Sequence, residues 1–337
     1  MKILIVQTSF LGDTVLSTPV IKEVRNLYPD SEIWMMTTPL SSQLVESNPA
    51  LAGVIPFDKR GSESGFKGLF RMAKKLKLMN FDIVYSLHKS YRTSVLLFMA
   101  GIPKRVGFKV AKLSFLYHET YGRDPMEHDV LRNLSILKGE IDIKKIETPK
   151  MELYPPERDM INPDLLSKLD GLGNYAVLVP GSAWETKMWD SSEFKEAAKY
   201  LIEKGLNVIL LGAQSDEKAC EKVAYTSNIL DLSGKTSIRE AIYIVSCAKM
   251  IVCNDSMSLH MASALKIPTV VLFCSTIPAF GYGPWENRAI IVEKDVNCRP
   301  CGTHGKRACP LGTNECMNGL IDDVKKAIDE LSSEFPI

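Results

Sequence analysis

Short apolar runs of strand character alternate along the chain with stretches of helical periodicity, and this alternation constrains the fold more than any other feature of the sequence. Strand-like runs occupy residues 3–6, 32–37, 54–57 and 83–87, with helical patterns at 17–27 and 66–77 between them. A strand followed by a helix and another strand needs a crossover, so the strands lie parallel and are covered on both faces. The pattern breaks over residues 149–174, where Pro149, Pro155, Pro156, Pro163, Gly171 and Gly173 accumulate. It then resumes with strands at 176–179, 207–211, 250–253 and 269–273, separated by helices at 191–204, 238–249 and 256–266. With 337 residues, 45% of them apolar, the chain suits two cores rather than one. The expected fold is α/β with two doubly wound, Rossmann-like domains: 1–155, a linker at 156–174, 175–320, and a closing helix at 321–337. The helix at 191–204 is written most clearly. Asp190 is placed to cap it with Glu193 reaching back, Phe194, Ala197, Ala198, Leu201 and Ile202 share a face, and Gly205 ends it.

The net charge of +1 hides an asymmetry, because residues 1–150 hold 22 Lys and Arg against 15 Asp and Glu, and the remainder is acidic. A basic first half points to an anionic partner. Its basic run, Lys59, Arg60, Lys67, Arg71, Lys74, Lys75 and Lys77, reads either as a solvated face or as contact with phosphates at a membrane surface. It matches no recognisable single-strand module, so no nucleic-acid partner is expected. The run at 3–6 meets Gln7, Thr8 and Ser9 too early for a signal sequence, and no apolar stretch is long enough for a transmembrane segment. The expectation is a cytoplasmic protein, peripheral to a membrane at most. Eight cysteines do not make a disulfide scaffold here. Cys298, Cys301, Cys309 and Cys316 follow C-x2-C-x7-C-x6-C, which reads as buried thiols, a disulfide or a zinc site; the single C-x2-C knuckle disfavours zinc.

In open parallel sheets ligands bind beyond the carboxyl ends of the strands, and three such loops are unusual. "TSFLGDTVLSTP" carries Gly12 and Asp13 at a helix start but no G-x-G-x-x-G. A carboxylate there repels a pyrophosphate, so Asp13 is either a helix cap or a group that takes a proton from a neutral substrate. "PGSAWETKMW" offers Ser182 and a lysine, Lys187, between two tryptophans. "CNDSMSLHMASAL" places Asp255 and Ser256 at a helix start with His260 one turn on, an anion pocket in outline. His88, Lys89 and Arg92 follow the strand at 83–87.

"TSFLGDTVLSTP", "PGSAWETKMWDSSEF", "LLGAQSDE", "NDSMSLHMASALKIPTVVLF" and "CRPCGTHGKRACPLGTNECM", in this order, resemble the bacterial ADP-heptose lipopolysaccharide heptosyltransferases of glycosyltransferase family 9, nearest to heptosyltransferase II. The resemblance implies a GT-B fold, two Rossmann-like domains facing a central cleft, with acceptor on the first and nucleotide-sugar on the second. It implies inverting transfer of L-glycero-D-manno-heptose from ADP-heptose to the lipid A-core acceptor at the inner membrane surface. Carried over by position, Asp13 matches the general base and Lys187 the diphosphate contact. Thr8, Ser9, Gly12, Ser182, Gln214, Asp255, Ser256 and His260 match the donor-side positions, and Arg60, His88, Lys89 and Arg92 are the acceptor candidates. Met257 stands where the motif usually has glycine. No metal or other cofactor is expected, since no D-x-D motif occurs and Lys187 with helix amides can hold the departing diphosphate. A transferase for another nucleotide-sugar and a non-catalytic sugar-nucleotide binder remain the alternatives.

Overall fold

The computed structural model describes residues 1–335, and the chain divides into two units, 1–154 and 155 onward. The first unit is built on β1 (Lys2–Val6), β2 (Glu32–Thr37), β3 (Gly53–Pro56), β4 (Ile83–Ser86), β5 (Lys104–Phe108) and β6 (Glu119–Tyr121). They form one parallel sheet in the order β3-β2-β1-β4-β5-β6. Ile3, Leu4, Ile5 and Val6 are fully buried, as expected of a central strand covered by helices on both faces. One flanking layer packs Leu69, Met72, Ala73 and Leu76 of the helix Gly65–Leu78 against Leu4, Val6 and Val84.

The second unit repeats the plan with β7 (Tyr175–Val179), β8 (Asn207–Leu210), β9 (Ile229–Asp231), β10 (Met250–Asn254), β11 (Thr269–Phe273) and β12 (Ala289–Glu293). Their order, β12-β11-β10-β7-β8-β9, is parallel throughout and topologically the same as the first sheet. In each sheet the direction of winding reverses once, between β1 and β4 and between β7 and β10. That crevice is where doubly wound sheets take their ligands.

Two expectations need correcting. The stretch read as a linker, 156–174, belongs with the second unit and contains the helix Pro163–Leu172. Pro156 lies in an irregular stretch, but Pro163 does not break structure, because it occupies the first helical turn, where no amide donor is needed, and the Asn162 side chain caps that helix through the Asp164 amide. The second correction concerns the helix Ser191–Glu203. Asp190 caps it as expected, accepting from the Ser192 amide at 2.7 Å, and Gly205 closes it with φ of +90°. Glu193, however, does not reach back to the cap. Its carboxylate accepts from Trp189 Nε1 at 2.9 Å and from the amides of Gly319 and Leu320, tying the segment before the closing helix Ile321–Glu334 to the core.

Candidate active site

At the first switch point the loops after β1 and β4 meet. Thr8, fully buried, has its hydroxyl 3.0 Å from His88 Nδ1, and the Thr93 hydroxyl lies 2.7 Å from the same nitrogen. Burial, with the charges of Lys59 and Lys89, lowers the His88 pKa to about 4, so the ring is neutral at pH 7. The Lys59 ammonium donates to the Thr8 carbonyl. Ser9 lies in the same loop and Gly12 in the first turn of the helix Leu11–Leu16 that follows it, both half-buried, and Arg60 is exposed. Arg92 is committed to the backbone: its guanidinium donates to the carbonyls of Lys59 at 3.0 Å, Glu63 at 2.6 Å and Gly65 at 3.3 Å, and lies over the Phe57 ring. Its part in this site is to hold the loop that presents Lys59 and Arg60.

Asp13 sits at the third position of the short helix Leu11–Leu16 and accepts from the Phe10 amide at 3.0 Å. It therefore does cap. It is also held above the ordinary carboxylate range, first by burial and then by the negative charge of Asp129, against the opposing pull of the Phe10 amide, Arg123 and Lys89. Asp129 and Arg123 were not singled out in the sequence. Arg123 donates to Asp129 at 2.6 Å and to Asn133 at 3.2 Å, and Arg132 lies 3.5 Å from the same carboxylate. The signal was present as Asp129, Arg132 and Asn133 at i, i+3 and i+4, a polar stripe within an apolar helix.

At the second switch point, Lys187 and Asp255 form an ion pair of 2.6 Å with both side chains largely buried. The Thr276 hydroxyl donates to the same Asp255 oxygen at 2.7 Å. The loops after β7, β10 and β11 thus meet at Asp255, and because the Lys187 ammonium has three donors, its pairing with Asp255 leaves capacity for an anion. Ser256 precedes the helix Met257–Leu265 without capping it, bonding instead to Ser258 at 2.7 Å, while His260 is buried within that helix. Met257 enters the helix without a positive φ, so the backbone there does not require glycine. Gly181 does need to be glycine, because a Cβ would fall 2.2 Å from the carboxyl carbon of Asp216. Ser182 is half-buried beside it, and Gln214 is exposed at the end of β8.

Asn254 holds these loops in place and was also missed. Fully buried, it accepts from the Trp189 amide at 3.0 Å and donates to the Pro180 carbonyl at 2.9 Å. Asn254→Ala leaves both backbone groups buried without a partner, at about 1–3 kcal/mol each. Urea unfolding is expected to show a loss of about 2–4 kcal/mol. A loss below about 1 kcal/mol would mean that the loops are held by other contacts.

The cysteine-bearing segment backs the lysine loop. Thr186 and Lys306 exchange hydrogen bonds, the Thr186 amide reaching the Lys306 carbonyl at 3.1 Å and the Lys306 amide reaching the Thr186 hydroxyl at 2.8 Å. Gly305, with φ of +77°, packs where a Cβ would crowd Lys187 and Trp184 at 3.1–3.2 Å. Cys298, Cys301, Cys309 and Cys316 are free thiols rather than disulfides. Among the described residues no three His, Cys, Asp or Glu side chains group as metal ligands.

The model of a family described as glycosyltransferase family 9 (heptosyltransferase) matches residues 69–311. Among curated proteins, lipopolysaccharide heptosyltransferase 2 of Salmonella typhimurium is 27% identical over 301 residues, 83% of this chain and 84% of that protein. Lipopolysaccharide heptosyltransferase 3 of Escherichia coli is 28% identical over 300 residues, with the same shares covered. Among solved structures, E. coli ADP-heptose lipopolysaccharide heptosyltransferase II aligns over 99% of each chain with a TM-score of 0.81 at 22% identity, a likeness of fold.

Proposed function

The chain belongs to glycosyltransferase family 9 and has the GT-B fold, and from that premise we propose that it transfers heptose from ADP-heptose to the lipopolysaccharide core with inversion at the anomeric carbon. The observation that carries the mechanism is the environment of Asp13, a carboxylate whose proton affinity is raised by burial and by Asp129. In this reading the acceptor hydroxyl gives its proton to Asp13 as its oxygen bonds to the anomeric carbon, and the bond from that carbon to the β-phosphate oxygen breaks. ADP leaves with the added charge taken up by Lys187 and by the amides opening the helix Met257–Leu265. Asp255 and Thr276 orient Lys187, a narrower role than direct contact with the nucleotide-sugar. Ser182, Ser256, His260 and Gln214 are assigned to the donor. Lys89 and Arg60 are assigned to the anionic acceptor, and Thr8, Ser9 and Gly12, expected on the donor side, belong to the first unit and are reassigned with His88 to the loops around Asp13. The likeness to relatives named heptosyltransferase 2 and 3 at nearly equal identity supports the donor class and the lipopolysaccharide core, without selecting the core position.

The deciding experiment measures ADP release from ADP-heptose with defined truncated lipopolysaccharides as acceptors, beside UDP- and GDP-sugars as alternative donors. Acceptor-dependent ADP release is the expected result. Release from a UDP- or GDP-sugar instead, or none from any donor, overturns the assignment. A second expectation concerns pH. A general base works only when ionised, so the acid limb of the kcat profile is expected to lie above the ordinary carboxylate range, as the direction of the Asp13 shift requires. A limb at or below that range would remove Asp13 from the step.

A further inference from the structure

The helix Gly65–Leu78 buries Leu69, Met72 and Leu76 and turns an unusual opposite face to solvent. Phe66 and Phe70, one helical turn apart, are 84% and 65% exposed. Lys74 continues their row, and Lys67, Arg71 and Lys75 form a second exposed row beside it. The helix contains five basic residues and no acidic one. Two adjacent exposed phenylalanines cost solubility that a solvated helix has no reason to bear, and a basic run alone does not call for them. Aromatic side chains together with Lys and Arg, on a helix whose other face is fixed in a domain core, match the chemistry of an anionic bilayer surface. Rings enter the acyl boundary while the ammonium groups remain among the headgroup phosphates.

Its place in the fold adds to this. The helix follows β3, so its first turn, with Phe66, stands at the carboxyl edge of the first sheet, the edge that also carries Asp13, His88 and Lys89. The entry to the helix is fixed, because Arg92 holds the carbonyls of Lys59, Glu63 and Gly65. We propose that this face docks the enzyme on membranes of anionic phospholipid. The docking itself does not depend on the identity of the transferred sugar. Its use, bringing the acceptor-binding edge to a lipid-anchored acceptor, rests on the function proposed above. No helix among the described residues is long and apolar enough to cross a membrane, so this contact is peripheral.

Co-sedimentation of the full-length protein with phosphatidylglycerol-containing vesicles, against pure phosphatidylcholine vesicles, tests the proposal. Binding to the anionic vesicles is expected, weakening as salt is raised. Phe66→Ser/Phe70→Ser is expected to lower the partition coefficient about tenfold or more, and each charge removed in Lys67→Gln, Arg71→Gln or Lys75→Gln about fivefold. The phenylalanine variant is expected to keep wild-type melting and wild-type transfer to a soluble, delipidated core oligosaccharide. Equal binding to both vesicle types, or full binding by the phenylalanine variant, overturns the proposal. So does a vesicle-free dimer that this variant converts to monomer, which would make the face a self-association surface. If the wild type binds vesicles as expected but transfers no heptose, the docking surface stands and the assigned reaction falls.

Discussion

Asp13→Asn is expected to lower transfer by roughly 10²-fold or more while leaving the protein as stable as, or more stable than, the wild type at neutral pH. Both halves follow from the surroundings of one carboxyl group. Burial and Asp129 hold its folded pKa above the ordinary value, so the folded state favours the protonated form. The stabilisation that comes with that proton is fully present below the unfolded pKa and is lost as pH rises through the folded one. Wherever the wild type is ionised it therefore carries a charge that its fold disfavours, and asparagine removes that charge. The amide oxygen can still accept from the Phe10 amide, which Asp13 now binds at 3.0 Å, so little capping is lost. Thermal melts across pH should show any advantage of the variant shrinking as the wild type becomes protonated at low pH. The affinity for ADP-heptose, measured calorimetrically, is expected to stay near wild type, since the donor residues are assigned to the second unit. Wild-type transfer by this variant would leave Asp13 as a cap only.

That Asp13 both caps and sits in a tuned electrostatic setting also shows where reading the sequence stops. Local signals located the elements with continuous apolar runs, β2 at residues 32–37 and β11 at 269–273 to the residue. They passed over β5 and β6, where Lys104, Arg105 and Glu119 interrupt the pattern, and also β9 and β12, the latter despite its apolar run at 289–292. All four lie at or next to a sheet edge, where the apolar signal of a buried central strand is weakened by short length or by polar side chains that reach solvent. The same limit governed the site. Loops that follow strands could be found one by one, and Asp13, Lys187 and Asp255 came from them. Which side chains meet is set by register: Cys253 pairs with Val179, and this brings the loop after β10 beside the loop after β7. Asn254 and Thr276 act only through that register, and Asp129 acts on Asp13 from a helix more than a hundred residues along the chain. No short motif marks such partners. Glu193 failed differently, since the spacing of a capping box was present but Trp189 and the amides of Gly319 and Leu320 took the carboxylate instead.

The ion pair at the second switch point gives the other large effect. Lys187→Ala is expected to lower transfer by about 10²–10³-fold, comparable to losing one donor that stabilises charge in the transition state. It is also expected to destabilise the protein, which an isolated surface lysine would not do. The Asp255 carboxylate lies 2.6 Å from the ammonium with its side chain only 5% exposed, and among the described residues Thr276 would be its remaining side-chain donor. Removing one partner of a buried pair costs about 3–5 kcal/mol, because the surviving charge is left without compensation. Adding Asp255→Asn to Lys187→Ala removes that charge while keeping an acceptor for Thr276, so the double variant is expected to recover most of the lost stability and none of the transfer. Urea unfolding and ADP release, measured on the two single variants and the double, separate the two roles of the lysine. If Lys187→Ala retains wild-type transfer, the departing diphosphate is stabilised by other groups. If the double variant is no more stable than Lys187→Ala alone, the loss comes from repacking of the loop between Trp184 and Trp189 and not from a stranded charge.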